Sequence, residues 1–349
     1  SSTSGVPLSI SVGRLFPHQQ PIDTSILTPV LIIEFILGLP GNAMALWVFC
    51  FSLKTWKPLT VYLLNLVLAD FLLIISLPFR IDNFMRKEHW IFGGGFCRIN
   101  LFMLTVNRSA SIGFMTLVAI DRYFKIVLPH HRLSHLSIRY SAGISFIMWA
   151  LVLALRCPLL SNNLLYMSGN MSLCRSFSHN SNLTSEMKLH YGVYIFEFFI
   201  PFGILLFCTF RITWILKFRQ LDKSNKVQKA IKVLILILLF FTICFMPGIL
   251  SGLITLLIKK FFPENCKAYN AFATFFSISI AFTYLNSVLD PIIYCFSSSL
   301  FLNTLKKSIN SLGLFLTQQP GESSSFMLTA VMLFHPDNNQ EGLIPWCSV

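Results

Sequence analysis

The chain alternates long apolar runs with short polar ones. Seven apolar stretches follow one another, at residues 26–50, 60–84, 94–127, 138–160, 189–217, 228–258 and 268–296. Each meets the ~20 residues that a helix needs to cross about 30 Å of hydrocarbon. The pattern predicts an all-α fold, a seven-transmembrane helix bundle over residues 25–298, preceded by a polar N-terminal tail at 1–24. Residues 299–313 place Phe301, Leu302, Leu305, Ile309 and Leu312 on one helical face with Lys306 and Lys307 beside it. That predicts a short amphipathic C-terminal helix lying on an anionic leaflet. The tail 314–349, with Gln, Pro, Gly and a serine run, is expected to be disordered and cytoplasmic.

Composition agrees with a membrane protein. Of 349 residues, 54% are hydrophobic and 12% charged, against roughly 25% charge in soluble domains. Seven spans put the termini on opposite sides, and loop charge chooses which is cytoplasmic. With the first loop (Lys54, Lys57) inside, the inner face collects 15 Lys/Arg and the outer face 11, with Arg80 and Arg156 counted outside. The N-terminus is therefore expected outside. Sequons at Asn170-Met-Ser and Asn182-Leu-Thr fall on the same outer face. The outer face is itself basic and would concentrate anions. Nine cysteines lack CxxC spacing, which argues against a metal cluster. Cys97, Cys174 and Cys266 sit on the oxidising side, where one disulfide among them is expected with one cysteine left over.

Polar groups inside the spans are the functional signal, because hydrocarbon penalises each by about 2–3 kcal/mol or more. They are Asn42, Asp70, Arg108 with Ser111, and Asn286 with Asp290. Asp70 and Asp290 need a shared proton, a hydrogen-bonded network or a small hydrated Na⁺ site. At 100° per residue, Arg108 returns to within about 20° of Cys97, and Arg122 to within about 40° of Arg108, so all three share one face of the third helix. Arg108 offers a planar donor fork suited to a ligand carboxylate; the alternative is an internal pair with Glu34, Glu197 or Asp70. Prolines 40, 78, 201, 247 and 291 each fall in a different span, and kinked helices suit a switch. A channel or transporter would instead show repeats or an acid-lined path. An intramembrane hydrolase would show Gly-x-Ser-x-Gly or His-Glu-x-x-His, and His131 with His135 lack a third ligand. The chain does not read as an enzyme, nor as a nucleic-acid binder.

In order along the chain stand Gly-Asn42, Leu66-Val-Leu-Ala-Asp70, Cys97, Asp121-Arg122-Tyr123, Trp149, Pro201, Cys244-Phe-Met-Pro247 and Asp290-Pro-Ile-Ile-Tyr294. This set resembles the rhodopsin-like (class A) G-protein-coupled receptors over about residues 30–312, with Phe245 for the usual tryptophan and Asp290 for the usual asparagine. Trp56-Lys-Pro, Asn107-Arg108-Ser-Ala-Ser111, Pro129-His-His131, Glu197-Phe-Phe and Phe282-Thr-Tyr-Leu-Asn-Ser-Val-Leu-Asp-Pro291 resemble the group of hydroxycarboxylic acid, oxoeicosanoid and 12-hydroxyeicosatetraenoic acid receptors. The resemblance implies that Arg108 holds a ligand carboxylate, with Tyr284 supporting it and Leu104 and Asn107 beside it. Arg175, Phe177 and Ser178 would close over the ligand from the second outer loop. It also implies a Cys97–Cys174 disulfide, leaving Cys266 without an evident partner. Asp121, Arg122, Tyr123 and Tyr294 would serve coupling to a heterotrimeric G protein, of the inhibitory class. Asp70, Ser111, Asn286, Ser287 and Asp290 would hold Na⁺ as an allosteric ion, with no cofactor required. Where hydroxycarboxylic acid receptors often carry a second arginine, this chain has Gly252, which suits a longer apolar tail. The expected function is a plasma-membrane receptor for a carboxylate-bearing lipid mediator of the oxo- or hydroxy-eicosanoid type. A short acid such as lactate, hydroxybutyrate or a nicotinate-like acid is the alternative.

Overall fold

The computed structural model describes residues 24–53, 55–169, 171–175, 185–219, 225–262, 264–297 and 301–307. Seven long helices run through it: α1 (Thr24–Trp47), α2 (Pro58–Met85), α3 (Gly93–Val127), α4 (Ile138–Arg156), α5 (Ser185–Arg219), α6 (Asn225–Phe261) and α7 (Cys266–Ser297). All seven are long and apolar enough to cross a bilayer, over bounds within two residues of those read from hydropathy. Helix starts follow local chemistry. Pro58 opens α2, where its missing N–H costs nothing and the preceding Lys57 is extended. The Ser137 side chain accepts from the Tyr140 N–H and caps α4.

The bundle has two apolar cores separated by a polar layer. The outer core gathers Leu31, Leu73, Leu77, Trp90, Leu101, Leu104 and Tyr284. The inner core gathers Phe49, Leu63, Leu66, Phe114, Met115, Phe241, Phe245 and Tyr294. Between them, at one level, lie the buried Asp70 of α2, Asn107 and Ser111 of α3, and Asn286, Ser287 and Asp290 of α7. Phe245, where relatives of the resembled family carry tryptophan, meets Phe241 edge-on at 5.1 Å, and Phe241 stacks on Phe198. Helix α3 is the axis: it packs against α2, α4, α5, α6 and α7, and two thirds of its apolar run is buried, as in α2, against 22% in α4 and α5. The outward residues of those two helices, such as Phe146 and Phe196 at 75% and 65% exposure, form an apolar girdle suited to lipid.

The outer end is tied down by a short antiparallel hairpin, β1 (Leu165–Ser168) and β2 (Met171–Cys174), pairing Leu165 with Cys174. A disulfide joins Cys174 to Cys97 in the first turns of α3, with 5.8 Å between their Cα atoms. The α2–α3 turn is fastened to the same hairpin, because the buried Trp90 donates its backbone N–H to the Ser172 carbonyl at 2.8 Å. Lys87 and Glu88 adopt left-handed backbone angles to make that turn, an uncommon conformation for side-chain-bearing residues.

One expectation is sharpened and one corrected. Phe301 of the expected short C-terminal helix faces the bundle. In α8 (residues 301–307) it is buried against Phe49 and Tyr294 at 4.9 and 6.1 Å, while Lys306 and Lys307 stay exposed. Phe301 and Leu305 pack into a slot walled by Phe49, just beyond α1, and Tyr294 of α7, while Ile309 and Leu312 lie outside the described residues. Arg80 and Arg156 are not outer-loop charges; they are buried within α2 and at the end of α4. Residues 314–349, Asn170 and Asn182 lie outside the described residues.

Breaking the Cys97–Cys174 bond should destabilise the protein by about 2–4 kcal/mol. The expected outcome for Cys174→Ser is a lower thermal midpoint of the detergent-solubilised protein and a midpoint no longer sensitive to reductant.

Candidate functional site

Spacing builds the site. On α5, His190, Tyr194 and Glu197 are four and three residues apart and share a face. On α3, Leu104 and Arg108 are one turn apart. These faces meet, and the Arg108 guanidinium lies over the Tyr194 ring with its central carbon 4.0 Å from the ring centre. One Arg108 terminal nitrogen donates to Glu197 Oε2 at 3.1 Å. Arg156 donates to the same Oε2. Two arginines therefore share one carboxylate oxygen.

The two cations differ in what remains open. Arg156 is 0% exposed and satisfied on every nitrogen: Nε donates to Ser109 Oγ at 2.8 Å, Nη1 faces His190 Nδ1 at 3.3 Å, and Nη2 meets Glu197. Because an arginine can only donate, His190 Nδ1 accepts and the ring proton sits on Nε2. The buried Nε of Arg108 has no hydrogen-bond partner among the described residues. It lines a cavity of about 230 Å³, which Arg156 does not. With Arg108 and Arg156 positive and Glu197 negative, the group carries one uncompensated positive charge facing that cavity.

The cavity runs from Leu27 and Leu31 of α1 past Leu104 of α3 to Leu253 and Leu256 of α6, so its walls are largely apolar. Its outer side carries Arg175, which pairs with Glu88 at 2.6 Å. Arg80 is the other cation in the wall. It donates to the Cys174 carbonyl at 3.2 Å, sits over Phe84, and makes a side-chain contact with Tyr284. Gly252 also lines the cavity, and a Cβ placed there would lie 3.1 Å from the Phe276 ring.

The site residues expected from the sequence thus divide. Arg108, Leu104, Tyr284, Arg175 and Gly252 come together around one cavity. Tyr284 contacts Arg80 rather than serving Arg108 alone. Asn107 turns the other way: it donates to the Ala69 carbonyl at 3.0 Å and to Ser287 Oγ at 3.2 Å, so it belongs to the polar layer and not to the cavity. One residue's step on a helix, 100°, is enough to send neighbours to different partners. Phe177 and Ser178 lie outside the described residues. Arg80, Arg156 and His190 were missed as site residues. The buried positions 73, 77, 80 and 84 of α2, and 145, 152 and 156 of α4, keep helical spacing through the arginine, a regularity that shows only once burial is known.

In the polar layer, Tyr294 donates to Asp70 Oδ2 at 2.8 Å and Asn286 to Asp290 Oδ2 at 3.0 Å. Asn42 ties α1 to the Ser287 carbonyl at 2.8 Å. Four buried oxygens here, Asp70 Oδ1, Asp290 Oδ1, Ser111 Oγ and Asn286 Oδ1, have no hydrogen-bond partner among the described residues. An all-oxygen donor set of that kind fits a hard cation. At the inner end of α3, Asp121 holds Arg122 at 2.9 Å and Lys125 at 2.7 Å.

Residues 41–294 match the family model described as 7 transmembrane receptor (rhodopsin family). The chain belongs to the rhodopsin family of seven-transmembrane receptors. It is 42% identical to hydroxycarboxylic acid receptor 2 of Homo sapiens over 318 residues, 91% of this chain and 86% of that receptor. It is 39% identical to oxoeicosanoid receptor 1 of Homo sapiens over 293 residues, 84% of this chain and 74% of that one. The 12-(S)-hydroxy-5,8,10,14-eicosatetraenoic acid receptor of Mus musculus is 34% identical over 295 residues, 83% of this chain and 90% of that receptor. As a rhodopsin-family receptor it is a multi-pass membrane protein that couples to G proteins and is not an enzyme.

Removing the shared carboxylate would leave two buried arginines facing each other. Glu197→Ala should therefore cost about 3–5 kcal/mol of stability. The expected reading is a clear fall in thermal midpoint of the unliganded receptor, larger than for Asp82→Ala, whose pair with Arg86 is solvent-exposed.

Proposed function

We propose that this receptor responds to a carboxylate-bearing lipid mediator of the oxo- or hydroxy-eicosanoid type. It does so in the plasma membrane, with its N-terminus outside and an inhibitory G protein inside. The observation that carries the reading is Arg108: a cavity-lining guanidinium in a cluster with one unbalanced positive charge, beneath walls that are mostly apolar. A carboxylate would balance that charge through a charge-assisted fork in a site with little water, and the acyl chain would occupy the apolar remainder. Names of relatives support both halves, since they include receptors for an oxoeicosanoid and for a hydroxyeicosatetraenoic acid. The 42% identity to a hydroxycarboxylic acid receptor supports a second reading, a short hydroxy acid.

A cAMP-inhibition screen separates the two, with 12-(S)-hydroxy-5,8,10,14-eicosatetraenoic acid and oxo-eicosanoids on one side and lactate and 3-hydroxybutyrate on the other. Arg108→Ala should lower the potency of the active acid some 30- to several-thousand-fold, the range for truncating one partner of a desolvated charge pair. Arg108→Lys keeps the charge without the bidentate fork and should also be impaired. The methyl ester should be inactive. Gly252→Phe, which must displace Phe276, should block a long acid and spare a short one. An ester as potent as the acid overturns the carboxylate reading.

We assign two further roles on the same basis. The orphaned oxygens of Asp70, Ser111, Asn286 and Asp290, with Ser287 beside them, would hold Na⁺ in the resting state. Replacing choline by sodium should then lower agonist affinity, and Asp70→Asn should abolish that dependence. Arg122, held by Asp121, is the group released toward the G protein when α6 moves at Pro247. Arg122→Ala should abolish nucleotide exchange and leave ligand binding intact. Tyr123 and Tyr294 would line the same inner end.

A further inference from the structure

Arg156 touches neither the cavity nor solvent, yet it shares an oxygen with the residue that would anchor the ligand. With only Arg108 and Glu197 on these faces, the pair would be neutral, and a ligand anion would have to displace a buried carboxylate and strand it. Such stranding is what makes broken buried ion pairs expensive. Arg156 changes this balance. Its other nitrogens are fixed by Ser109 of α3 and His190 of α5, so its Nη2 stays aimed at Glu197 whatever Arg108 does. Both arginines use Oε2, and Glu197 Oε1 is buried with no hydrogen-bond partner among the described residues, so within these residues the carboxylate is held at one corner.

We propose that Arg156 is a positioning residue that takes up the charge of Glu197 and thereby leaves the Arg108 fork available to the ligand anion. The proposal rests on the carboxylate reading above. When the acid binds, Arg108 exchanges Glu197 for the ligand carboxylate, and Glu197 remains paired with Arg156. Each charged group keeps a partner in both states, the net positive charge of the unliganded cluster is neutralised when the acid binds, and no covalent bond changes. The apolar wall thus accepts an acid in preference to its ester because the cluster is one negative charge short. Selectivity for an anion resides in a residue that never meets it.

The test uses the full-length receptor in detergent, with 12-(S)-hydroxy-5,8,10,14-eicosatetraenoic acid and its methyl ester as probes and ligand-induced thermal shift as the measure of affinity. Arg156→Gln should weaken acid binding by about tenfold or more, because Glu197 then closes wholly on Arg108. Arg156→Lys, which keeps the charge, should lose less. Glu197→Gln should bind the acid more tightly than the parent although it is less stable without ligand. Arg156→Gln combined with Glu197→Gln should return acid affinity to within about threefold of the parent, the double-cycle signature of direct coupling. A residue that merely ties α4 to α3 and α5 would not be rescued by removing a carboxylate. Unchanged affinity in Arg156→Gln, weaker acid binding in Glu197→Gln, or a double variant no better than Arg156→Gln each overturns the proposal. If Arg156→Gln does not fold, the Glu197→Gln arm and the charge-free double variant decide it. Acid binding that survives Arg108→Ala fells the functional reading itself; binding that needs Arg108 but ignores Arg156 fells only this one.

Discussion

A charge surrounded by hydrocarbon and protein must find a partner, and that constraint orders the whole interior. Arg108 on the central helix and Arg156 at the end of α4 are both largely withdrawn from water, so α5 brings Glu197 to pair with the two of them. Asp70 and Asp290 face the same demand from the opposite sign and gather hydrogen-bond donors from Asn286 and Tyr294. The apolar cores above and below are continuous except at this level, where polar groups from α2, α3 and α7 meet. Helix positions within the bundle are therefore fixed as much by matching polar partners as by packing of the aliphatic residues. Trp149 repeats the logic on a small scale, donating its indole N–H to Asn65 Oδ1 at 2.8 Å and so setting α4 against α2.

The fold was legible because hydrocarbon thickness is a strong ruler. Span bounds read from hydropathy lie within about a turn of the helices, and Cys97 with Cys174 paired as the resemblance implied. The candidate site was legible only where a polar residue interrupts a long apolar run, as Arg108 and Asp70 do. Arg80 and Arg156 were not, because each lies near a span end, where a charge reads as the start of a loop. Only the direction of the side chain, set by tertiary packing, tells a snorkelling arginine from a buried one. Asn107 failed differently: adjacency to Arg108 in sequence suggested shared work, and helix geometry assigned the two to separate clusters.

The outer lid shows how a small covalent constraint positions a charged wall. The disulfide fixes Cys174, its carbonyl receives Arg80, and the next residue, Arg175, reaches Glu88 in the α2–α3 turn. Trp90 fastens that turn to β2 from the other side. Cations from α2 and the hairpin are thereby held at the cavity rather than left to swing in solvent, which lowers the ordering cost of any anion that enters.

Asp121, at the opposite end of α3, is shared between Arg122 and Lys125. The consequence is kinetic. An acid with a single partner must climb through a state in which it is bare before the partner can leave, and that height sets the pace of the transition. If Arg122 is released as proposed, Lys125 on the next turn, 2.7 Å from Asp121, would keep the acid paired. On the reading proposed above, that second cation would lower the barrier to releasing Arg122.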